Sequence, residues 1–424
     1  MSLKSRTWLR RVLFGAALGM CAGLVFVATV IAIALHALKP APDEWTVTVH
    51  LGPWPRELSM PGLIRWAAHP LAAPLLDGHV LRTRFGRWQL RRNGHDVEAV
   101  CAPCRMQLAA LGPAPLQFAR AHLRASHEGA GRFAGTLTLA ENGHALRLNF
   151  SAQLDRRGAD LKLAMPPTAM ASVVRVLGHD LPEADTVQVG GTLAFTANAR
   201  WPERTWQAKP LLRDFTVSGL GTERLLDAQL PPACRTSADG AALTGWLPRA
   251  LVAAEDARFH EHPGYEIDHM LAAWQHNQQN QGQGAPLRGG STLTQQLAKF
   301  TITGDDRSAT RKLRELLYAV EMERTLGKAR ILQLYLALAP WGDGVCGAER
   351  AAQVYLGKSA SKIGPVSAAW LVSLLRNPEA QLQRAVRARE IDRDRIKQIV
   401  AGMRPMSASQ RTLANEQLLE WMPW

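Results

Sequence analysis

Charge is missing from one long stretch near the beginning of the chain. Residues 12–38 contain no Asp, Glu, Lys or Arg, and His36 is their one strongly polar side chain. A helix needs about 20 apolar residues to cross a bilayer. The stretch therefore predicts a transmembrane anchor.

The charges on the two sides of this stretch are unequal. Residues 1–11 carry four basic side chains, whereas Lys39 alone follows before Asp43. Because basic residues mark the cytoplasmic side, residues 1–11 are predicted to be a cytoplasmic tail, residues 12–38 an anchor, and the remainder to lie outside. A signal peptide cleaved after Ala34 is the alternative. The apolar core of a signal peptide is usually about 7–15 residues long, and the uncharged stretch here is longer, which favours the uncleaved anchor.

Acidic residues are too few to balance the basic ones. Asp and Glu number 36 against 50 Lys and Arg, a formal net charge of +14. A basic surface attracts nucleic acid, anionic lipid headgroups or phosphorylated substrates. Because the sequence predicts a membrane anchor, we expect the basic surface to bind lipids and phosphorylated substrates and not nucleic acid.

Cysteine is scarce, with five residues in 424. Cys101 and Cys104 form a C-x-x-C with Pro103 inside it, in a β-rich region that does not suit a thioredoxin-like motif. Two thiols are too few for a metal site. We expect a structural disulfide, either Cys101 with Cys104 or one of them with Cys234.

Residues 40–247 alternate apolar and polar side chains, as in WTVTVHL and GTLTLAENGHALRLNF. Asn-Gly pairs at 93–94 and 142–143 are typical of hairpin turns. The pattern predicts an antiparallel, β-rich extracytoplasmic domain with one wet face, and short helices near 62–73 and 168–177. It contains no catalytic constellation.

Residues 248–424 carry apolar side chains at helical spacing instead. The predicted fold class is therefore α+β: a transmembrane helix, an antiparallel β-rich domain and a mainly α-helical domain.

Two glutamates with cations between them stand out in the helical part, Glu255 in EDARFHEHPG and Glu315 in RKLRE. Each piece has an ordinary structural interpretation. Thr292 and Gln295 have the spacing of a capping box, and Arg311 and Glu315 that of an ion pair on a helix surface.

The same residues form five motifs in chain order: Glu255, Asp256, Phe259, His262 and Gly264; Gly289, Gly290, Ser291, Thr292, Thr294, Gln295, Gln296 and Lys299; Arg307, Arg311, Lys312 and Glu315; Lys328, Ile331, Leu332, Tyr335 and Leu336; Arg395, Ile399, Val400 and Met403. They resemble the glycosyltransferase family that polymerises the lipid-linked disaccharide precursor of bacterial peptidoglycan. This domain occurs in monofunctional transglycosylases and class A penicillin-binding proteins. Five ordered motifs over about 150 residues leave little room for chance.

The resemblance implies a lysozyme-like domain and a role for each residue. Glu255 and Glu315 are the predicted catalytic residues, with Glu255 as the general base. Glu315 would position the neighbouring cations or hold a divalent ion, Mg or Mn, that some family members use. The predicted pyrophosphate ligands and pocket residues are Lys299, Arg307, Arg311, Lys312, Ser291, Thr292, Gln295 and Gln296.

The sequence departs from the family pattern at four positions, namely Phe300 for Asn, Glu266 for Asp, Ala337 for Asn and Ser367 for Glu. None is the expected base or a phosphate ligand. Residues 359–362 also spell S-x-x-K, the nucleophile motif of penicillin-binding transpeptidases. No KTG or SDN follows, so we interpret it as coincidence.

The implied function is polymerisation of lipid II into glycan strands, with release of lipid pyrophosphate, at the periplasmic face of the bacterial inner membrane. The alternatives are a membrane-anchored regulatory protein that binds lipid II without polymerising it and, less favoured, a glycosidase. Expected partners are lipid II, the growing strand, the membrane and cell-wall synthesis proteins at the β-rich domain. We expect that domain to pack beside the transferase, which should work without it, and Met270, Leu271 and Trp274 to meet the membrane.

Overall fold

The computed structural model describes residues 39–424 except 43, 52–53, 69–76, 84–85, 94–95, 107–115, 179, 204, 235–244, 281–287, 305–307, 343 and 424, together with residues 25 and 29. The predicted tail and nearly all of the predicted anchor lie outside the described residues. Among the residues that are described, no helix is both long and apolar enough to cross a membrane.

Residues 46–218 form the β-rich part of the molecule. Its strands are β1 (Thr46–Leu51), β2 (Trp54–Ser59), β3 (Val80–Thr83), β4 (Gly86–Asn93), β5 (Asp96–Met106), β6 (Leu116–Phe118), β7 (Arg120–Gly129), β8 (Arg132–Glu141), β9 (His144–Leu154), β10 (Ala159–Ala169), β11 (Gln188–Trp201) and β12 (Thr205–Ser218). Strands β1 and β2 form a separate hairpin. The other ten form one antiparallel sheet in the order β12-β11-β10-β9-β8-β7-β5-β4-β3, with β6 paired to β5.

The alternation in the sequence becomes the two faces of this sheet. In β9, Leu146 is buried whereas Arg147, Asn149 and Ser151 are exposed. Leu146 lies opposite Leu139 of β8, so the apolar side chains of neighbouring strands share one face. The predicted antiparallel sheet with one wet face is confirmed.

Two helices accompany the sheet: α1 (Met60–Ala68) and α2 (Met170–Leu177). Both begin within two residues of the predicted starts. Helix α2 packs on β9 and β11, and its buried face carries Met170, Val173, Val174 and Val176. The Cys101–Cys104 disulfide forms within β5, as one of the two predicted pairings has it.

The remainder of the chain is helical. Its helices are α3 (Trp246–Glu255), α4 (Ile267–Gln279), α5 (Leu293–Ala298), α6 (Ala309–Thr325), α7 (Gly327–Leu338), α8 (Ala348–Leu356), α9 (Pro365–Ser373), α10 (Pro378–Gln383), α11 (Arg393–Gly402) and α12 (Ala408–Glu420). Helix α3 packs against α9 and α11. Leu247 and Leu251 of α3 are fully buried, and the mixed α+β class is confirmed.

The sheet and the helices meet along α6. Glu321 of α6 is 1% exposed, and its carboxylate accepts hydrogen bonds from the backbone N–H of Leu220 at 2.8 Å and of Thr222 at 3.5 Å. One turn further on, the hydroxyls of Thr222 and Thr325 are 2.7 Å apart. The chain leaving β12 is therefore bound to the side of α6.

A second contact joins α6 to the loop between α2 and β11. Arg314 Nε donates to Glu183 Oε1 at 2.9 Å, and the Tyr318 hydroxyl donates to the same oxygen at 3.1 Å. A half-buried, bidentate arginine–carboxylate pair is stronger and more directional than an exposed ion pair. The sheet thus packs beside the helical part, as expected.

One sequence expectation stays a prediction and another needs correction. The expected membrane contact of Trp274 stays a prediction; its ring centroid lies 4.0 Å from that of Trp206 on β12. The alternative pairing of Cys101 or Cys104 with Cys234 is wrong, because Cys234 forms a disulfide with Cys346, 112 residues away. This second disulfide fastens the end of the β-rich part to the loop before α8.

Replacing Glu321 tests the contact along α6. In Glu321→Gln, the amide oxygen can accept from only one of the two N–H groups while its NH2 faces the other. We expect a loss of about 1–3 kcal/mol in the free energy of unfolding, the usual penalty for an unsatisfied buried donor. Denaturation in urea measures it.

The exposed Glu420 on α12 provides a matched control. Glu420→Gln should leave the free energy of unfolding unchanged within about 0.5 kcal/mol. Equal stability of the two variants would show that the Glu321 carboxylate does not hold the sheet to α6.

Candidate active site

Glu255 is the last residue of α3, and its carboxylate meets the side chain of Gln296 from α5. Gln296 Nε2 donates to Glu255 Oε2 at 3.3 Å. The other end of the same amide, Oε1, accepts a 2.8 Å hydrogen bond from the Tyr335 hydroxyl of α7. Three helices therefore converge on the predicted base.

The surroundings of Glu255 act on its pKa in opposite directions. Burial raises it above the ordinary value and is the dominant effect, while the hydrogen bond from Gln296 and the charges of Arg395 and Arg376 lower it. Asp256 adds a small upward contribution. A general base needs a carboxylate whose proton affinity is higher than in water yet which is ionised at working pH.

The neighbouring Asp256 holds the backbone of the site in place. Its carboxylate accepts from His262 Nε2 at 2.9 Å and from the backbone N–H of Leu293 at 2.9 Å. His262 Nδ1 in turn accepts from the Gly264 N–H at 3.1 Å, so the ring carries its proton on Nε2. Asp256 thereby ties the end of α3 to the start of α5.

Thr292 begins α5 with the predicted capping box. Its hydroxyl accepts from the Gln295 N–H while the Gln295 side chain accepts from the Thr292 N–H. The Thr292 hydroxyl also donates to the Gly264 carbonyl oxygen at 2.7 Å. Thr292 and Gln295 are buried, and their hydrogen bonds position α5.

A cluster of opposite charges lies at the N-terminal end of α5. Lys312 Nζ donates to Ser291 Oγ at 2.5 Å and to Glu315 Oε2 at 2.8 Å. The other carboxylate oxygen of Glu315 accepts from Arg311 Nη1. Burial, together with the nearby charges of Arg311 and Lys299, lowers the pKa of Lys312 to about 8.

The Glu315 carboxylate does not suit a divalent ion. Each of its oxygens already accepts from a cation, and the side chain is buried. Another group, Asp256, His262 and Glu266, has ligand atoms within 4.8 Å of one another. The first two are hydrogen-bonded to each other and Glu266 is ion-paired to Arg258, so we assign no metal ligand among them.

The structure brings the predicted residues into two groups. Glu255 and Gln296 form one; Ser291, Lys312, Glu315 and Arg311 form the other, with Thr292 and Gln295 in the segment between. Lys299 ends α5 and contributes charge near Lys312. Arg307 lies outside the described residues.

Several residues of this region had no role assigned from sequence. Tyr335 was only a motif match, and its link to Gln296 spans 39 positions. Lys328 holds the first motif in place, since its Nζ donates to the His262 carbonyl at 2.7 Å and to Glu323 at 2.8 Å. Phe300, where the family has Asn, packs its ring edge-on to Tyr335 at 5.1 Å.

Ser359 of the S-x-x-K sequence shows no nucleophile geometry. Its hydroxyl donates to the buried Glu349 at 3.2 Å and lies 3.1 Å from the Ser361 hydroxyl. These bonds shape the turn after α8.

Residues 229–404 match the family model described as Transglycosylase, and they contain Glu255, the adjoining cation cluster and the helices around them. The chain is 48% identical over 133 residues to a biosynthetic peptidoglycan transglycosylase of Bordetella avium, covering 31% of this chain and 55% of that protein. Against the protein of the same name from Nitrosomonas eutropha, identity is 41% over 136 residues, 32% of this chain and 54% of the relative. The chain thus spans about half the length of the curated relatives it matches.

Gly264 tests the packing of the first motif. Its φ is +92°, and a Cβ there would lie 2.8 Å from the Ala319 carbonyl oxygen of α6. Gly264→Ala should lower the free energy of unfolding by about 1–3 kcal/mol through backbone strain alone, and further through this clash. Chemical denaturation measures the loss.

Gly357 is the matched control, since its φ is +63° and an added Cβ would meet nothing within 4 Å. Gly357→Ala should cost about 1–2 kcal/mol, the strain without the clash. Equal losses in the two variants would mean that the close approach to α6 is unimportant.

Proposed function

We propose that this chain polymerises the lipid-linked disaccharide precursor of peptidoglycan, lipid II, into glycan strands. The main observation behind this proposal is that the segment from Ser291 to Gln296 connects the two groups of the site. Its first residue bonds Lys312 of the cation cluster, and its last bonds Glu255. One rigid, capped segment thus sets the spacing between a base and a group of cations. The shared identity with proteins named biosynthetic peptidoglycan transglycosylases supports the same activity.

The reaction needs the base and the cations on opposite sides of the reacting anomeric carbon. The 4-hydroxyl of one disaccharide unit attacks the anomeric carbon of the growing strand, and Glu255 takes the hydroxyl proton as the C–O bond forms. The bond from the anomeric carbon to the lipid pyrophosphate breaks with its electron pair on the phosphate oxygen. Lys312, Arg311 and Lys299 stabilise that developing charge.

The location proposed for this reaction is the periplasmic face of the inner membrane. The uncharged run at residues 12–38, with its basic residues on the N-terminal side, supports a single-pass anchor. Two disulfides, Cys101–Cys104 and Cys234–Cys346, support an oxidising compartment for the rest of the chain. Within this proposal the helical domain is lysozyme-like, and the exposed face of the sheet is available to cell-wall synthesis proteins.

A lipid II-binding regulatory protein without polymerase activity would need the cation cluster but no base. The convergence of α3, α5 and α7 on a partly buried Glu255 carboxylate favours the polymerase, because withdrawing a carboxylate from water is costly and a binding protein gains nothing from it. A glycosidase would need a second carboxylate across the scissile bond. Glu315 is instead engaged with Arg311 and Lys312.

Incubation of the purified protein with lipid II tests the proposal, with polymer as the product. Glu255→Gln should lower the rate by about 100- to 10,000-fold, since the amide keeps the shape of the carboxylate but cannot accept the proton. Binding of lipid II should survive.

Glu261→Gln is the control, because Glu261 belongs to the same motif region but is exposed. Its rate should match that of the unchanged protein. Polymer formed at an undiminished rate by Glu255→Gln would contradict the assignment of the base, and no polymer from the unchanged protein would contradict the function.

The lowered pKa of Lys312 predicts a pH dependence. Below about pH 8 the amine is charged and binds pyrophosphate. Above it the amine loses its proton, and the KM for lipid II should rise about tenfold for each further pH unit because the binding-competent fraction falls by that factor.

Lys312→Arg should abolish this rise, since a guanidinium stays protonated over the whole range. Lys397→Arg on the exposed side of α11 is the control and should leave it in place. A KM that rises identically in all three proteins would show that another group titrates.

A further inference from the structure

Gln296 has a side chain whose two ends are chemically opposite but similar in shape. The amide NH2 donates hydrogen bonds and the carbonyl oxygen accepts them, so a half-turn about the last side-chain bond would exchange the two. In one orientation the NH2 faces Glu255, and in the other the oxygen would face it. Only the first is compatible with an ionised carboxylate.

The Tyr335 hydroxyl selects between these orientations. Tyr335 is 1% exposed, so its O–H proton needs a protein acceptor, and it donates to Gln296 Oε1 at 2.8 Å. This bond points Gln296 Nε2 at Glu255 Oε2. We propose that Tyr335 is a positioning residue for the glycosyl transfer reaction, holding the Gln296 amide so that it donates to the base. The inference rests on the proposed function.

The ring of Tyr335 is held independently of its hydroxyl. It lies fully buried in α7 with the Phe300 ring edge-on at 5.1 Å. Removing the oxygen alone, as in Tyr335→Phe, therefore leaves the packing in place. The variant loses the Tyr335 hydroxyl, which donates to Gln296 Oε1 and so distinguishes the two ends of the amide.

The charged and polar groups around Glu255 determine the direction in which its pKa changes when the amide turns. Arg395 of α11 and Arg376, which follows α9, stabilise the carboxylate, as does the Gln296 amide, while Asp256 opposes them. Once the amide is free to turn, its oxygen spends time beside the carboxylate and its donor is lost. The carboxylate then holds its proton to higher pH, and the fraction of ionised base falls on the acidic limb of the pH profile.

The experiment is the pH profile of kcat for polymerisation by Tyr335→Phe. Its acidic limb should move to higher pH, and kcat at pH values on that limb should fall about fivefold, the size expected for one lost hydrogen bond. The KM for lipid II should stay unchanged, because the cation cluster is untouched. A purely structural role would lower the rate equally at all pH values, and that result would overturn the proposal.

A double substitution isolates the coupling through the amide. In Gln296→Leu the amide is absent, so adding Tyr335→Phe should change neither the acidic limb nor kcat further. If Tyr335→Phe retains its full effect in that background, the hydroxyl does not act through Gln296 and the proposal is wrong.

Tyr355 offers a matched tyrosine control. Its hydroxyl donates to the carbonyl oxygens of Trp341 and Gly342, at 3.2 and 3.1 Å. Tyr355→Phe should leave the acidic limb in place, and thermal melts should show both phenylalanine variants folded. An active unchanged protein with an unshifted Tyr335→Phe profile would overturn the positioning role alone, whereas inactivity of the unchanged protein would remove the proposed function itself.

Discussion

The contact between the Asp256 carboxylate and the Leu293 backbone N–H is the constraint on which the candidate site depends. It joins the end of α3 to the start of α5, 37 positions apart, and is itself held by His262. Glu255 precedes Asp256 and Gln296 lies one turn into α5, so this bond helps to determine where the Glu255 carboxylate and the Gln296 amide meet. Because Asp256 and His262 are buried, water does not compete for it.

Helix α6 connects the candidate site to the β-rich part of the molecule. Its first turns present Arg311, Lys312 and Glu315 to the site, and its later turns offer Glu321 to the chain leaving the sheet. Between them, Arg314 and Tyr318 bind Glu183. A helix held along its whole length cannot tilt without breaking charged, half-buried contacts, so the cations keep a fixed distance from α5.

Local sequence patterns predicted what short-range physics determines. The alternation in β8 and β9 predicted the sheet, and the spacing of Thr292 and Gln295 predicted the cap of α5. Contacts distant along the chain were not predictable. Cys234 pairs with Cys346 across 112 positions, and the Trp274 ring packs against Trp206 of β12. The Gln296–Tyr335 bond likewise depends on how α5 and α7 pack, and neither residue signals it alone.

The contacts along α6 also change where the helical part of the molecule physically begins. A cut at residue 247, where the sequence changes from alternating to helical periodicity, would remove Leu220, Thr222 and Cys234. It would leave the Glu321 carboxylate, 1% exposed in the whole protein, without its two backbone donors. It would also leave Cys346 without its disulfide. The family match begins at residue 229, after the last contact to Glu321. A helical part that keeps the contacts of Glu321 and the Cys234–Cys346 disulfide must therefore begin near residue 219, so the strip from Leu220 to Cys234 belongs energetically to the helical part although it leads directly out of the sheet.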